Sequence, residues 1–245
     1  MRMTFFRRIG RHLGARLQRV RPVEGYDRWA ATYDAQPENV VFALESPLFN
    51  QLFARVSIEG KIVVDIGCGT GRHWPEILSR TPAAVLGVDP SPRMLERLKD
   101  HYPDARTMCA EGDHLPGIAD ASCDVIISTL ALAHVSDAAR AIGEWCRILR
   151  PGGAMLITDF HPDAIRAGMK RTFINGSHTI EIEHHATDLE RLRHIATDYG
   201  LTPLWVAERV IDESVRPLFE SAQYLKAYEK HKSQPLIFGM HFTKP

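Results

Sequence analysis

The glycine-rich run VVDIGCGTGRH, residues 63–73, is the stretch of this sequence best suited to binding a ligand. Its apolar, β-branched start predicts a buried strand, and Gly67, Gly69 and Gly71 follow at once. Glycine permits a turn with positive φ and lets a ligand approach the main chain, which a Cβ would block. The run therefore predicts a strand, a ligand-binding turn and the start of a helix, although glycines alone also fit a tight turn that binds nothing.

The charged residues near these glycines narrow the kind of ligand. A dinucleotide-binding turn reads G-x-G-x-x-G, but Arg72 stands where its third glycine would be. Asp65, two residues before the first glycine, disfavours a pyrophosphate and favours an ammonium group. Asp89 ends the next apolar run, where doubly wound folds place a carboxylate that binds ribose hydroxyls. A helix N-cap ahead of Pro90 explains Asp89 as well.

Binding residues of this kind must be positioned by a sheet, and the rest of the sequence predicts one. Strands are predicted at residues 61–66, 83–89, 105–111, 123–131 and 153–160, and helices at 72–80, 91–102 and 137–149. This alternation is typical of right-handed βαβ units in a doubly wound α/β fold. Ligands of such folds bind beyond the carboxyl ends of the strands, where the glycines and Asp89 are expected.

Residues 161–245 depart from this alternation. An inserted β-hairpin is predicted at about 161–186, turning around Asn175-Gly176. Helices at 187–199 and 217–230 and strands at 203–211 and 235–242 follow. We therefore divide the chain into an N-terminal region of basic and lid helices, residues 1–55, and an α/β domain, residues 56–245, which carries the insert.

The composition excludes several classes of protein. The 245 residues contain 30 Lys plus Arg and 30 Asp plus Glu, so the net charge is zero and gives no general attraction to nucleic acid. No stretch reaches the roughly 18 apolar residues of a transmembrane helix. Four widely spaced cysteines form no zinc or disulfide pattern, which favours a reducing, cytoplasmic location. A small-molecule partner fits these features better than a nucleic acid.

The first 21 residues form a separate basic segment. They contain seven arginines and no acidic residue, with apolar residues at helical spacing, which predicts an amphipathic helix. Such a helix either docks on the domain through its apolar stripe or makes a weak peripheral contact with an anionic membrane. Docking is favoured, because one short basic helix binds a membrane only weakly and reversibly.

Four more features stand in a fixed order around the glycine run: YDRWAATYD at 26–34, Asp89, EGDHLP at 111–116 and LRPGG at 149–153. Together they resemble the class I S-adenosylmethionine-dependent methyltransferases, and most closely the group that acts on small molecules. The resemblance covers roughly residues 26–160. It implies a Rossmann-like, seven-stranded, mostly parallel sheet whose antiparallel last strand is 235–242. It also implies S-adenosylmethionine as cofactor and S-adenosylhomocysteine as product.

The resemblance further assigns a set of residues to the cofactor. They are the lid residue Tyr33, then Asp65, Gly67, Cys68, Gly69 and Gly71 at the methionine part, Asp89 at the ribose, Asp113 and His114 at the adenine, and Ser128 at the sulfonium. Two positions depart from the usual pattern. His114 stands where the family commonly has a small residue, and Cys68 adds a thiol beside the cofactor, so the details of the pocket stay open.

Methyl transfer is an in-line displacement, and an acceptor with a hydroxyl or an acidic carbon must also lose a proton. A histidine with a near-neutral pKa is the natural base. His134 follows the fourth predicted strand and His161 the fifth, so both are candidate catalytic residues, with a structural hydrogen-bonding role as the alternative. No metal site is expected, since no carboxylate or cysteine completes a ligand spacing with His178, His184 and His185.

Motifs that are absent narrow the acceptor. The sequence has no Pro-Cys pair for methylation of a pyrimidine carbon and no Asn/Asp-Pro-Pro-aromatic turn for an exocyclic amine. A small organic acceptor with an oxygen, carbon or nitrogen nucleophile is therefore preferred. The alternative is a methyltransferase-like domain that binds the cofactor and regulates or binds a partner without turnover. A nicotinamide-dependent oxidoreductase is disfavoured by Arg72.

Overall fold

The computed structural model describes residues 17–36 and 39–245, which form two sheets with helices packed around them. The strands are β1 Leu17–Val20, β2 Ile62–Ile66, β3 Ala84–Asp89, β4 Arg106–Cys109, β5 Cys123–Thr129, β6 Leu149–Phe160, β7 Thr172–Asn175, β8 His178–Ile182, β9 Thr202–Val210 and β10 Pro235–Thr243. The helices are α1 Pro22–Trp29, α2 Val40–Phe53, α3 Trp74–Ser79, α4 Pro92–His101, α5 Ala138–Ile148, α6 Pro162–Arg166, α7 Leu189–Asp198, α8 Arg216–Ser221 and α9 Leu225–His231. Short 3₁₀ turns follow α1 at Ala30–Thr32 and β5 at Leu132–His134.

The main sheet has seven strands in the order β4-β3-β2-β5-β6-β10-β9. β10 pairs antiparallel with both β6 and β9, and the other pairs are parallel. The predicted Rossmann-like sheet with an antiparallel last strand is therefore confirmed. The strand order reverses at β2, which lies between β3 and β5, and this reversal opens a crevice at the carboxyl ends of the strands.

The centre of the main sheet is apolar on both faces because helices cover both. In β2, the neighbours Val63 and Val64 point to opposite faces and are at most 2 % exposed. Val64 packs in the same apolar cluster as Trp145 of α5, and Val63 in the same cluster as Phe49 of α2. Across residues 17–36 and 39–245, no helix combines the length and apolarity that a membrane crossing requires.

A second sheet has three strands in the order β1-β8-β7. β7 and β8 form the predicted hairpin, with Asn175 opposite His178 and Gly176-Ser177 in the turn. Gly176 has φ +57°, the left-handed conformation that a tight hairpin turn requires. The insert is thus a hairpin that gains a third strand from the N-terminal segment.

That third strand, β1, corrects the sequence interpretation. Residues 17–20 pair in parallel with β8, whereas the basic pattern predicted a helix that continues to residue 21. Residues 1–16, the rest of the predicted helix, lie outside the described part of the chain. The strand could not be read from local spacing because its partner lies far along the sequence.

Two other predicted helices are shorter than expected. The helical spacing of residues 26–34 is kept only to Trp29, after which the chain tightens into a 3₁₀ turn. The helix predicted at 217–230 divides into α8 and α9 around Gln223, whose φ of +62° does not fit inside a right-handed helix. The domain boundary at residue 55 stays a prediction.

Candidate active site

A crevice with about 710 Å³ of empty space, part of it continuous with the solvent, lies beyond the carboxyl ends of β2, β3 and β5. We refer to this space as the cavity. Its walls come from the glycine turn, from the segments that follow β3, β4 and β5, and from α1. Among the residues predicted for the site, Tyr33, Gly67, Gly69, Asp89 and His134 line it.

The first two glycines of the turn make room in different ways. Gly67 has φ +74°, and a Cβ built on it would lie 2.2 Å from the Cβ of Ala131, so a side chain has no space there. Gly69 has φ +54°, and a Cβ there would meet no atom within 4 Å. Because Gly69 lines the cavity, this open space lies where a ligand can contact the main chain. The turn therefore fits the cofactor part expected over it.

Asp89, the last residue of β3, joins the glycine turn to the start of α4. Its Oδ2 accepts from the backbone N–H of Gly69 at 2.9 Å, and its Oδ1 accepts from the backbone N–H of Ser91 at 2.8 Å. Burial raises the pKa of this carboxyl to about 6, against the opposing effect of the two N–H donors. Each oxygen keeps acceptor capacity, so the ionised group can also accept from ligand hydroxyls.

Asp65 lies beneath the turn and is not among the residues that line the cavity, so its contact with the cofactor stays a prediction. Its Oδ2 accepts from the indole N–H of Trp74 at 2.9 Å, and the side chain is 3 % exposed. Burial raises the pKa of Asp65 to about 7, although the bond from Trp74 lowers it. Asp65 therefore supports the turn from below by fixing the start of α3.

Cys68, Gly71 and Ser128 also lie outside the cavity wall. Cys68 points towards Gly87 of β3, where an added Cβ would be 2.9 Å from its Sγ. Gly71, with φ +84°, closes the turn towards α4. Ser128 is fully buried in β5, and the residues after it, Thr129–Ala131, line the cavity instead.

The loop after β4 reaches the cavity two residues earlier than predicted. Glu111 and Gly112 line it, whereas Asp113 and His114 do not. Asp113 lies 3.8 Å from Arg140, and His114 is exposed. The EGDHLP motif thus located the loop that reaches the cavity, but its spacing did not identify which of its residues line the cavity wall.

His134 and Tyr26 form a hydrogen-bonded pair in the cavity wall. The Tyr26 hydroxyl is 2.9 Å from His134 Nε2, and His134 Nδ1 is 2.8 Å from the carbonyl oxygen of Glu183. Since a carbonyl only accepts, Nδ1 carries the proton and Nε2 accepts from the tyrosine. Burial and the positive charge of Arg171 lower the pKa of His134 to about 3, far below the near-neutral value expected. The imidazole is therefore neutral at physiological pH.

His161 is not among the residues that line the cavity, and its candidate catalytic role stays a prediction. It is the N-cap of α6, where Nδ1 accepts from the backbone N–H of Asp163 at 3.1 Å. The side chain is 4 % exposed, and its Nε2 lies 3.7 Å from Glu208. The helix cap thus turns the ring away from the cavity although the strand end is correct. In the part of the chain that the structure describes, no three His, Cys, Asp or Glu side chains converge as metal ligands do.

The segment YDRWAATYD is fastened over the glycine turn by its two aspartates. Asp27 Oδ1 accepts from the Ser91 hydroxyl at 2.6 Å, and Asp34 Oδ1 accepts from the Thr70 hydroxyl at 2.6 Å. The tyrosine before each aspartate lines the cavity. The repeat therefore supplies two cavity walls and two anchors, which supports the predicted lid.

Sequence reasoning missed Arg171, which precedes β7. Its side chain is 6 % exposed, and its Nη2 donates to the hydroxyl of Tyr33 at 3.4 Å. No local motif surrounds this arginine, and only the packing of the insert against α1 brings it beside the cavity. Tyr26 was part of a quoted motif, but its bond to His134 depends on the same tertiary contact.

Comparisons with known proteins agree with this geometry. Residues 64–157 match a family model described as a methyltransferase domain. The chain is 33 % identical over 114 residues to a human thiol S-methyltransferase and 34 % identical over 119 residues to the demethylmenaquinone methyltransferase of Tropheryma whipplei. These alignments cover 44 % and 47 % of this chain, and 46 % and 48 % of the relatives. The chain thus spans about half the length of these curated relatives.

The fold is also that of a solved S-adenosylmethionine-dependent methyltransferase from Mesorhizobium loti, with a TM-score of 0.63 and 21 % identity. That match covers 80 % of this chain and 97 % of the other chain. The region matched by the family model contains the glycine turn, Asp89 and β2 to β5, which together build the cavity. Residues 64–157 therefore match a methyltransferase domain in sequence, and the chain has the fold of the S-adenosylmethionine-dependent methyltransferases.

Proposed function

We propose that this protein transfers a methyl group from S-adenosylmethionine to a small-molecule acceptor by in-line displacement. The observation that carries the proposal is the open space over Gly69, bounded by Asp89, in the crevice at the carboxyl ends of the strands. The cofactor, when bound there, supplies a methyl group activated by a sulfonium. The residues of the chain then hold the cofactor, align the acceptor and exclude water.

The three segments that follow β2, β3 and β4 would hold the cofactor. Gly67 and Gly69 would receive the methionine part along the main chain, and Asp89 would accept from the ribose hydroxyls. Gly112 lies in the segment expected at the adenine, and its carbonyl accepts from the indole N–H of Trp145 at 2.7 Å. This bond fixes the shape of that segment before a ligand binds.

Tyr26 and His134 would position the acceptor. The Tyr26 hydroxyl donates to His134, so its oxygen is free to accept a hydrogen bond from an acceptor in the cavity. Because the pKa of His134 is about 3, protonation of this imidazole at pH 7 costs about 5 kcal/mol. His134 could therefore act as a base only if the bound acceptor raised its pKa. We therefore assign the contact with the acceptor to Tyr26 and the orientation of Tyr26 to His134.

A small organic acceptor fits the site better than a macromolecule. The lid segment contributes both Tyr26 and Tyr33 to the cavity wall, so the cavity is partly covered. The two relatives are named for a thiol and for demethylmenaquinone, so the family includes acceptors of different chemistry. The acceptor atom of this protein is therefore set by the lid and the insert, outside the region matched by the family model.

Calorimetric titration with S-adenosylmethionine, S-adenosylhomocysteine and NAD tests the proposal. We expect both sulfur compounds to bind and NAD not to bind. Asp89→Ala should weaken binding at least about tenfold, or about 1.4 kcal/mol, whereas Asp104→Ala, a change at an exposed aspartate, should not alter it. Binding of NAD alone would contradict the proposal, and the production of S-adenosylhomocysteine with a panel of small acceptors separates turnover from binding without turnover.

A further inference from the structure

Arg171 is a buried cation with almost no hydrogen bonds among the residues that the structure describes. A guanidinium has five N–H donors. Here Nη2 reaches the Tyr33 hydroxyl at 3.4 Å, a long bond, and the buried Nε has no partner within the described ranges. Only 6 % of the residue is exposed, and Nε is fully enclosed, so the described residues leave most of this guanidinium without an acceptor. A buried charge left in this state is costly unless a ligand completes it.

Arg72 shows what a satisfied arginine looks like in the same region. Its guanidinium lies 2.7 Å from a carboxylate oxygen of Glu45 and donates to the Ser46 hydroxyl at 3.0 Å. Both arginines lie near the ring of Phe42, with the Cζ of Arg72 at 4.6 Å and that of Arg171 at 5.8 Å from its centroid. Only Arg72 has a carboxylate in contact.

The acidic groups that act on Arg171 are already committed to other donors. Asp159 accepts from the backbone N–H groups of Ala133 at 2.7 Å and Phe160 at 2.6 Å. Glu45 accepts from Thr158 and contacts His73 as well as Arg72. These carboxylates balance the charge of Arg171 from a distance but do not satisfy its N–H groups.

Arg171 lies directly behind the part of the cavity wall that Tyr26 and Tyr33 form, which the proposed function assigns to the acceptor. It contacts Tyr33, and its Cζ is 5.9 Å from the ring of Tyr26, two residues that line the cavity. It also lies 5.8 Å from the ring of Trp29, so its neighbourhood is aromatic. Asp89, the carboxylate that would hold the cofactor ribose, lies at the glycine turn. It accepts hydrogen bonds there from the backbone N–H groups of Gly69 and Ser91, and not from Arg171.

We propose that Arg171 binds an oxyanion of the methyl acceptor, a carboxylate or a phosphate, at the end of the cavity formed by Tyr26, Tyr33 and His134. The proposal rests on the proposed function and specifies its substrate class as an anionic, partly aromatic or apolar small molecule. A guanidinium holds either oxyanion through two parallel N–H donors, which would supply the missing hydrogen-bond partners. The aromatic rings around Arg171 would then contact the apolar part of the acceptor.

Matched probes test the charge requirement. In the presence of saturating S-adenosylhomocysteine, we would titrate the protein with phenylacetate, phenyl phosphate and the neutral phenylacetamide. At least one of the two anions should bind at least tenfold more tightly than phenylacetamide, and the tighter anion identifies the oxyanion. Arg171→Met should abolish this difference, Arg171→Lys should reduce it, and Arg193→Met, at an exposed arginine of α7, should retain it. Equal binding of the anions and phenylacetamide to the wild-type protein would overturn the proposal.

Two further measurements separate acceptor binding by Arg171 from a role in cofactor binding and from a purely structural role. We expect Arg171→Met to keep that affinity within about twofold, and a loss of tenfold or more would show that Arg171 instead holds the carboxylate of the cofactor. The same titrations without S-adenosylhomocysteine test the anion site if the wild-type protein fails to bind the cofactor, so the two proposals can fail separately. Thermal unfolding tests a purely structural role, since Arg171→Met should leave the midpoint unchanged or higher, and a fall of several degrees would overturn the proposal.

Discussion

At the scale of single residues, Asp89 joins cofactor binding to pH. Its pKa of about 6 means that the folded protein takes up a proton on this carboxyl as the pH falls below 6. A cofactor that needs the ionised form should therefore bind about tenfold more weakly at pH 5 than at pH 7. Titration of S-adenosylhomocysteine across this range measures the effect. Asp89→Asn is the control, and its affinity should be lower than that of the wild type but independent of pH.

The pKa of His134 predicts a second effect, this time on stability. The folded state lowers it from 6.5 to about 3, so the unfolded chain binds more protons between these values and stability is lost as the pH falls through this window. Between pH 6.5 and pH 4.5, the wild type should lose about 2 kcal/mol more than His134→Gln. Urea unfolding of both proteins at the two pH values tests this. The raised carboxyl pKa values act in the opposite direction, but they are common to both proteins. An equal loss would show that His134 is open to protonation in the fold.

The residues of the site differ in how far the sequence could predict them. Gly67 and Gly69 lie in one strand–turn–helix unit and Asp89 ends the next strand, so local spacing was enough to place them at the cavity. Asp65 and Ser128 lie behind the cavity wall, and alternation along a strand end does not reveal which side chains a neighbouring helix covers. Arg171 could not be predicted at all, since its role depends on contacts between segments that are distant in the sequence.

At the scale of elements, the glycine turn must both pack against its neighbours and leave space for the ligand, and substitutions of Gly67 and Gly69 separate these two requirements. Gly67→Ala places a Cβ 2.2 Å from that of Ala131 at positive φ, so we expect at least about 2 kcal/mol less stability in urea unfolding. Gly69→Ala meets no protein atom and should cost only about 1 kcal/mol. Its affinity for S-adenosylhomocysteine should nevertheless fall at least tenfold, because the new methyl group occupies the ligand's space. Retained affinity in Gly69→Ala would move the ligand away from this part of the turn.

The strands and helices of the main sheet were predictable because each βαβ unit is encoded by consecutive residues. Hydrophobic runs and the helix-like runs between them predicted the seven strands and the parallel direction of the first five, whereas the antiparallel last strand was predicted from the resemblance. The elements that were wrong depend on longer contacts or on backbone exceptions. β1 required its distant partner β8, and the division between α8 and α9 required the positive φ of Gln223.

At the scale of the whole molecule, one buried charge network joins α2, the glycine turn and β6. Glu45 contacts Arg72, His73 and Thr158. Although burial opposes ionisation, Arg72 and His73 hold the pKa of Glu45 at about 2. Arg72→Met leaves this carboxylate without its main partner and should lower the free energy of unfolding by about 3 kcal/mol. Urea unfolding measures this loss, and Arg193→Met, which removes an exposed pair, should change stability by less than about 1 kcal/mol. Equal stability of the two variants would mean that the network is dispensable for folding.

The parallel pairing of β1 with β8 also bears on how acceptor preference can be changed. Tyr26 and Tyr33 come from the segment that begins with β1, whereas Arg171 and Glu183 come from the insert that contains β8. The two segments share a sheet and an aromatic cluster, so we expect neither to keep its shape when it is grafted alone onto a related scaffold. Residues 17–36 and 161–186 thus form a single interchangeable cassette, and a chimera designed to carry this preference to another methyltransferase must exchange both parts together.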